Sequence, residues 1–544
     1  MSRFVPADFQ PRLPLDRLIL SEPPEAERIE MDVLFVGGGP AGLAGAIELA
    51  KLVKADNGEI SIGVLEKASA LGEHNLSGAV VNPRAFRELF PDLGDADFPF
   101  STPVTKEGLY LLSAGGARRL PTPPTMKNHG NFIGSICEIV RWLGTKAEDL
   151  GVDIFPGFPA EALLTDGDKV LGVRTVATGL DRDGSELSNY MPPADITARV
   201  TALAEGTRGP LSQAYCEWQG LHGENPQIFA LGVKELWELE RPLDRVIHTM
   251  GWPLPNDAFG GSFMYPLEPK VVALGLVVGL DHPHRSLDVH VLLQQLKNHP
   301  LFRKYLEGGE LVEWGAKTIP EGGFYALAPR RSGDGVVILG DAAGFVDVPS
   351  LKGIHYAMQS GMYAARAIFD GLKANDTSAA ALSAYDRMVD ESYIRDDLYR
   401  TRNIRPAFKD GFYKGSIKAG LMTVTGGRVF SRRIDMHADA DVPRGSGGGV
   451  DVTPGALTVS KVDAVFKSAN ATRDNIPSHL IAVADVPADV AEFYSHVCPA
   501  GVYEVSGDGL RINAPNCIDC KATDVVGPRW MPREGGSGPA YKRM

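Results

Sequence analysis

The sequence predicts an α/β protein with a small α+β module near its C-terminal end, and three observations carry that reading. A short apolar strand, a glycine turn and a helix follow one another through residues 32–54. A second buried strand, 336–339, runs into Gly340-Asp341 much further along the chain. Three of the five cysteines fall close together, as Cys498-Pro499 and then Cys517-Ile518-Asp519-Cys520.

The first observation defines a nucleotide site. Asp32-Val33-Leu34-Phe35-Val36 is the strand, and Gly37, Gly39 and Gly42 stand at the spacing G-x-G-x-x-G immediately after it. Glycines there permit a tight turn and let backbone approach a pyrophosphate, whose charge the following helix N-terminus stabilises. A second strand over 60–65 ends at Glu66, where a carboxylate accepts hydrogen bonds from ribose hydroxyls. The unit is a βαβ of ordinary length.

Further along, prolines at 91, 99, 103, 121, 123 and 124 punctuate turns. Apolar Ile133, Ile136, Val140 and Leu143 predict a helix within 132–150, and strands alternate through 153–280. Gly340-Asp341-Ala342-Ala343-Gly344 follows the late strand and precedes a predicted helix over 353–372. Asp341 is placed to bind a ribityl hydroxyl, with the helix N-terminus presented to the electron-rich end of a flavin. Two nucleotide elements so far apart select FAD over NAD. More helix is predicted within 379–400, a glycine-rich linker over 445–453, and a small terminal domain over 478–544. The stretch 533–541 is poor in core-forming residues and is expected on the surface.

The cysteines suit an iron–sulfur cluster, because thiolates are soft ligands and a C-x-x-C loop brings two of them to one cluster. Zinc, or a pair of inert cysteines, stays open on spacing alone. With so few cysteines a disulfide scaffold is not expected, and a reducing compartment is.

Composition sets outer limits. A length of 544 residues suits about two to four domains, and 44% hydrophobic residues provide an ample core. A net charge of −13 argues against nucleic acid as partner, since phosphate binding needs a basic face. The 61 glycines are rich usage against roughly 7% on average. No apolar run reaches the roughly 18 residues that predict a membrane span. The first thirty or so residues carry Asp8, Asp16, Glu22 and Glu25, with no apolar core for a signal peptide and too much acid for a transit peptide.

Over nearly its whole length the chain resembles the electron-transfer flavoprotein–ubiquinone oxidoreductase family. The resemblance rests on Val64-Leu65-Glu66-Lys67, Leu76-Ser77-Gly78-Ala79, Asn128-His129-Gly130-Asn131, Ala204-Glu205-Gly206 and Gly232-Val233-Lys234-Glu235-Leu236-Trp237. It continues through Gly251-Trp252-Pro253-Leu254, Gly260-Gly261-Ser262-Phe263, Glu321-Gly322-Gly323-Phe324, Arg402-Asn403-Ile404-Arg405-Pro406 and the Cys498 motif.

The resemblance implies an FAD-binding Rossmann-like domain interleaved with a mixed-sheet quinone domain over 32–440, after a lead of 1–31. A linker of 441–477 and a ferredoxin-like iron–sulfur domain of 478–544 would follow. It further implies electron transfer from reduced electron-transfer flavoprotein, through FAD and an iron–sulfur cluster, to ubiquinone. Gly37, Gly39, Gly42, Glu66 and Asp341 would contact FAD. Gly260 and Gly261 would meet the quinone head group between Trp252 and Phe263 as apolar walls, and Cys498, Cys517 and Cys520 would ligate the cluster. His355 is read as structural.

One departure matters most. Thr523 stands where the family pattern implies a fourth cysteine, which leaves a four-iron cluster, a three-iron cluster, no cluster, or an oxygen ligand from Asp519 or Asp524 as alternatives. Lys409, Lys414 and Lys418 among Phe412, Ile417, Leu421 and Met422 suit a basic amphipathic segment lying on headgroups. Together with the resemblance, that implies a protein peripheral on the cytoplasmic face of a bacterial inner membrane, or on the mitochondrial inner membrane of a eukaryote. Two rival functions remain at this point: a flavin-dependent NAD(P)H reductase or monooxygenase for an isoprenoid or aromatic substrate, and a degenerate binding protein.

Overall fold

Two sheets and a terminal module organise the chain in the computed structural model, which describes every residue except 1, 2, 26, 101, 451, 453, 454 and 508. Parts of the N-terminal lead (1, 2 and 26) and of the expected linker (451, 453 and 454) therefore lie outside the described residues.

The first sheet grows from β1 (Ile29–Val36), whose second half is buried because it lies at the sheet centre. Helix α1 (Pro40–Ala55) follows with proline in its first turn, where the missing N–H costs nothing. β2 (Ile62–Glu66) is buried throughout, as a strand covered on both faces must be. β3 (Glu107–Ser113) belongs to the second sheet. Helix α2 (Ile136–Glu148) is capped by Ser135, which accepts from the Glu138 N–H, and it begins inside the expected 132–150 range. β4 (Asp153–Pro156), β5 (Asp195–Leu203) and the later β11 (Val336–Ile338) complete a parallel array in the order β11-β5-β1-β2-β4.

The second sheet is mixed. Its long strands are β6 (Phe229–Glu238), β7 (Val246–Gly251), β8 (Gly260–Glu268), β9 (Val271–Gly279) and β10 (Glu310–Pro320), ordered β10-β6-β9-β8-β7-β3. All neighbours are antiparallel except β7 and β3. Helix α3 (Ile354–Lys373) packs along α1, and α4 (Phe412–Thr425) lies at the surface with only Gly415 and Met422 buried.

In the terminal module, α5 (Lys461–Lys467), β12 (Leu480–Ile481), α6 (Ala488–Val497), α7 (Ala522–Val526) and β13 (Arg529–Trp530) surround the cysteines. β12 pairs antiparallel with β13. Its core merges with that of the second sheet, so Tyr494, Cys517 and Trp530 pack in one cluster with Leu274 and Trp314.

The expected surface tail is a correction. Ser537, Tyr541 and Met544 are buried. The tail threads between domains, with the Tyr541 ring against Gly315 of β10 and the Met544 carbonyl beside the Cys137 thiol. Backbone bonds satisfy the rest: the Tyr541 N–H donates to Glu73 O at 3.0 Å and the Gly536 N–H to Lys67 O at 2.8 Å. Glycine-rich chain can be buried wherever its amides find partners, and hydropathy does not report that. Tyr541→Ala is expected to destabilise the protein by about 3–5 kcal/mol, as for other buried aromatics. A denaturant midpoint indistinguishable from wild type would disprove the assignment.

Candidate flavin cleft and cysteine cluster

The turn after β1 is constrained by sterics. Gly37 has φ +116°, and a Cβ there would stand 2.4 Å from the Ala204 carbonyl oxygen. A Cβ on Gly42 would lie 2.1 Å from the Gly37 carbonyl oxygen. Gly39 is different: its Cβ position is nearly open, and the residue lines the cleft at the N-terminus of α1. The turn thus folds only with glycine at 37 and 42, and it leaves backbone exposed to a ligand at 39.

Glu66 closes β2. Its carboxylate accepts from the Gly38 N–H at 3.1 Å and the Ala68 N–H at 2.8 Å, and burial raises its pKa. Asp341, in the turn after β11, also lines the cleft. Burial pushes its carboxyl up to about 6, against a weak hydrogen bond from Thr207. The same cleft is walled by Phe263 and Tyr265 of β8 and reached by the start of α3 at Gly353 and Ile354. His355 packs instead against Tyr356 and Tyr393.

Sequence reasoning missed several cleft residues. Lys234, Lys317, Thr318, Lys521 and Trp530 all line it. Burial lowers Lys234 and Lys317 to about 8. Lys234 Nζ and Thr318 Oγ1 are buried with no protein partner. Two orphaned donors beside a glycine turn fit a polar, phosphate-bearing ligand such as FAD. The available signal was a lysine inside an otherwise apolar strand, as in Gly315-Ala316-Lys317-Thr318-Ile319.

Gly260 and Gly261 lie at the start of β8, in extended strand rather than a hairpin turn. Their missing side chains admit close neighbours: a Cβ on Gly260 would be 2.1 Å from Val277 O, and one on Gly261 2.5 Å from Thr249 O. Gly260 lines a second, outer cavity with Trp252, Leu254, Phe412 and Tyr413. Phe263, a few residues along the same strand, faces the flavin cleft. One strand therefore joins the two cavities, and Trp252 and Phe263 wall different ones.

The three cysteines converge. Cys498 caps α6, Cys517 follows a short turn at 514–516, and Cys520 sits between Asp519 and Lys521, both in left-handed backbone (φ +55° and +62°). Each sulfur accepts backbone N–H groups: Cys498 from Ala500 and Val502, Cys517 from Asp519, Cys520 from Ala522. Burial still raises all three thiols, Cys517 to about 12. Buried thiols that share one core cluster gain most from a multivalent cation that makes them thiolates. Both ring nitrogens of buried His479, near Cys517 and Asp519, also lack protein partners. The donor set fits an iron–sulfur cluster bound through three cysteines.

Loop and cleft touch directly. The Thr318 N–H donates to Cys520 O at 3.0 Å and Lys317 Nζ to Asp519 O at 3.1 Å. Asp519 pairs with Lys67 and with Arg533 at 2.8 Å, and accepts from Trp530 Nε1 at 2.9 Å.

A two-domain flavin fold with a cysteine cluster against its cofactor cleft defines a flavin- and iron–sulfur-containing oxidoreductase. Family descriptions match two parts of the chain: ETF-QO, ubiquinone-binding, over residues 229–319, and electron transfer flavoprotein-ubiquinone oxidoreductase, 4Fe-4S, over 455–542. The electron transfer flavoprotein-ubiquinone oxidoreductase of Pseudomonas aeruginosa is 37% identical, over 96% of this chain and 100% of that protein. The mitochondrial proteins so named from Oryza sativa and Homo sapiens are 38% and 37% identical, over 95% of this chain and 94% and 89% of theirs. The chain belongs to the electron transfer flavoprotein–ubiquinone oxidoreductase family.

Solved structures support the fold alone. A geranylgeranyl bacteriochlorophyll reductase-like protein from Thermoplasma acidophilum superposes with TM-score 0.58 at 20% identity, covering 74% of this chain and 93% of its own. A myxobacterial chondrochloren halogenase, described as a variant of FAD-dependent halogenases, gives 0.52 at 19%, covering 76% and 95%.

Proposed function

We propose that this enzyme takes electrons from reduced electron transfer flavoprotein and delivers them to ubiquinone through an iron–sulfur cluster and FAD. The observation that carries the reading is the direct contact between the cysteine loop and the flavin cleft through Cys520 and Thr318. When bound, the two groups supply one-electron carriage and the interchange of one- and two-electron chemistry. The NAD(P)H-dependent alternative is not favoured, because relatives matching end to end are named ubiquinone oxidoreductases.

The chain's own residues do the rest. Gly37, Gly39 and Gly42 bring the start of α1 to the pyrophosphate, Glu66 accepts from ribose, and Asp341 from the ribityl chain. Cys498, Cys517 and Cys520 hold the cluster. Phe263 and Tyr265 keep water from the flavin side, while Gly260 lines the outer cavity in which a quinone head group would sit beside Trp252; Gly261 instead makes room for the neighbouring strand. In this assignment 32–440 carries the flavin and quinone, and 478–544 the cluster. Anaerobic addition of reduced electron transfer flavoprotein is expected to bleach the bound flavin, and a short-chain ubiquinone to restore its colour. Bleaching by NADPH but not by the flavoprotein would sink this reading.

The outer cavity opens beside α4, which supports peripheral membrane attachment, on the cytoplasmic face in a bacterium. Among the described residues no helix is long and apolar enough to cross a membrane. Tyr413, Ile417, Leu421 and Val424 form one exposed stripe along α4, at 66%, 69%, 48% and 84% exposure. Such a face lies in the headgroup boundary with its apolar side down. Ile417, Leu421 and Val424 changed together to serine are expected to weaken vesicle binding by over tenfold, since each apolar side chain contributes about 1 kcal/mol or more on burial. Cosedimentation with anionic vesicles checks this, and unchanged binding would remove α4 from the attachment.

A further inference from the structure

On the relay reading the C-terminal module would hold its cluster through three thiolates, with another group at the fourth corner. The structure narrows the choice. Asp524 accepts from Arg208 Nε at 2.6 Å and from the Trp530 N–H at 3.0 Å, with Arg529 also beside it. Asp519 is engaged by Lys67, Arg533 and the Trp530 indole. Asp524 is therefore committed to donors outside the cysteine set, and Asp519, although it also meets Cys517 Sγ at 3.8 Å, has its charge held by Lys67, Arg533 and the indole. His479 lies on the Asp519 side, with a ring nitrogen within 4.8 Å of both Cys517 Sγ and a carboxylate oxygen.

Thr523 is placed otherwise. Its hydroxyl meets the Tyr503 hydroxyl at 3.0 Å, and both residues are buried. Tyr503 packs in one core cluster with Cys498, Cys517 and Cys520, and Thr523 follows Cys520 by three residues, so the hydroxyl pair belongs to the buried shell that holds the sulfurs. The two hydroxyls are hydrogen-bonded to each other in the interior, and an alcohol side chain offers a neutral oxygen where the family pattern implies a thiolate. A neutral hydroxyl binds iron far more weakly than thiolate does.

Building on the relay reading, we propose that the cluster is site-differentiated. Cys498, Cys517 and Cys520 fix three irons, and the fourth faces the Thr523–Tyr503 hydroxyl pair and exchanges with free ferrous ion. Under a one-electron oxidant the balanced step is [4Fe–4S]2+ → [3Fe–4S]+ + Fe2+ + e−, with the electron passing to the oxidant and no thiolate lost. Ferrous ion and a reductant reverse it. A cysteine at position 523 would close the corner and stop the exchange.

The test uses anaerobically purified holoprotein, wild type and Thr523→Cys, treated with one equivalent of ferricyanide. Iron and sulfide are assayed per FAD, with low-temperature EPR. Wild type is expected to fall from about four irons to about three at constant sulfide and to gain the signal of an oxidised three-iron cluster. Added ferrous ion and dithionite should restore the fourth iron, while Thr523→Cys keeps all of its iron. Should that variant fail to assemble, wild type incubated with 57Fe2+ gives the answer by Mössbauer spectroscopy, with label expected in about one iron site of four. Wild type that keeps its iron and takes up no label would overturn the proposal while leaving the relay intact. Protein with FAD and no iron would overturn both.

Discussion

Gly42→Ala is expected to leave a protein that no longer retains FAD. The new methyl would stand 2.1 Å from the Gly37 carbonyl oxygen, well inside van der Waals contact and against backbone that has no free rotamer to yield. Gly37 in turn is pinned against Ala204, the residue that follows β5. Helix α1 must therefore shift, and its N-terminus leaves the position proposed to meet the pyrophosphate. Overpacking of this kind costs about 1–3 kcal/mol in the fold alone. Loss of alignment at the phosphates adds to it, so FAD affinity should fall by at least about a hundredfold. Gly39→Ala separates the two effects. Its methyl meets only Asn75, at 3.8 Å, so apoprotein stability should hold while FAD binding weakens. Calorimetric titration of apoprotein with FAD, beside its denaturant midpoint, checks both variants. Gly42→Ala that purifies with stoichiometric flavin would show that the turn does not carry the cofactor.

The parts of this site that were legible in the sequence are those whose signal is local. A buried strand, three glycines and a helix follow each other without interruption, so β1, α1 and β2 emerge from the apolar pattern and the turn chemistry. The late strand and Asp341 are legible for the same reason. The contact between the cysteine loop and the flavin cleft was not. Lys67 and Asp519 lie 452 residues apart, and nothing local to either segment says that the two side chains meet. Trp530 was equally hidden, because nothing near it in sequence says that the indole reaches the cofactor cleft. The tail failed for a different reason. Hydropathy counts side chains, whereas the tail is held by amides and by the Tyr541 ring against Gly315.

These long-range contacts change how the electron path is understood. The seven-stranded sheet joins three places: β10 meets the cysteine loop at Thr318, β8 gives Phe263 to the flavin cleft, and the same strand gives Gly260 to the outer cavity. Rigid strands fix those separations better than loops would. On the proposed relay, entry near the cysteines and exit beside α4 would then be built on one sheet.

Asp519→Ala should damage that arrangement most. The carboxylate is 1% exposed and is shared by Lys67, Arg533 and the Trp530 indole, with His74 at 3.8 Å. Burial alone would raise its pKa, yet Arg533 and Lys67 together hold it well below the usual carboxylate range. Its removal leaves the Arg533 guanidinium inside the protein without its counter-charge, a change that costs about 3–5 kcal/mol. In Asp519→Asn the side-chain amide oxygen would still accept from the indole or the guanidinium, so that variant is expected to lose less, about 1.5–3 kcal/mol. The pH dependence follows from the sign of the shift. A folded-state pKa below the unfolded value of about 3.9 means the contribution is complete above that pH and disappears as pH falls through the folded value. The gap between wild type and Asp519→Ala in denaturant midpoint should therefore be constant from neutral pH down to about 5 and narrow only in stronger acid. A gap that closes near neutrality, or one below about 1 kcal/mol at pH 7, would show that Lys67 and Arg533 find other partners and that Asp519 does not clasp the cysteine loop to the flavin cleft.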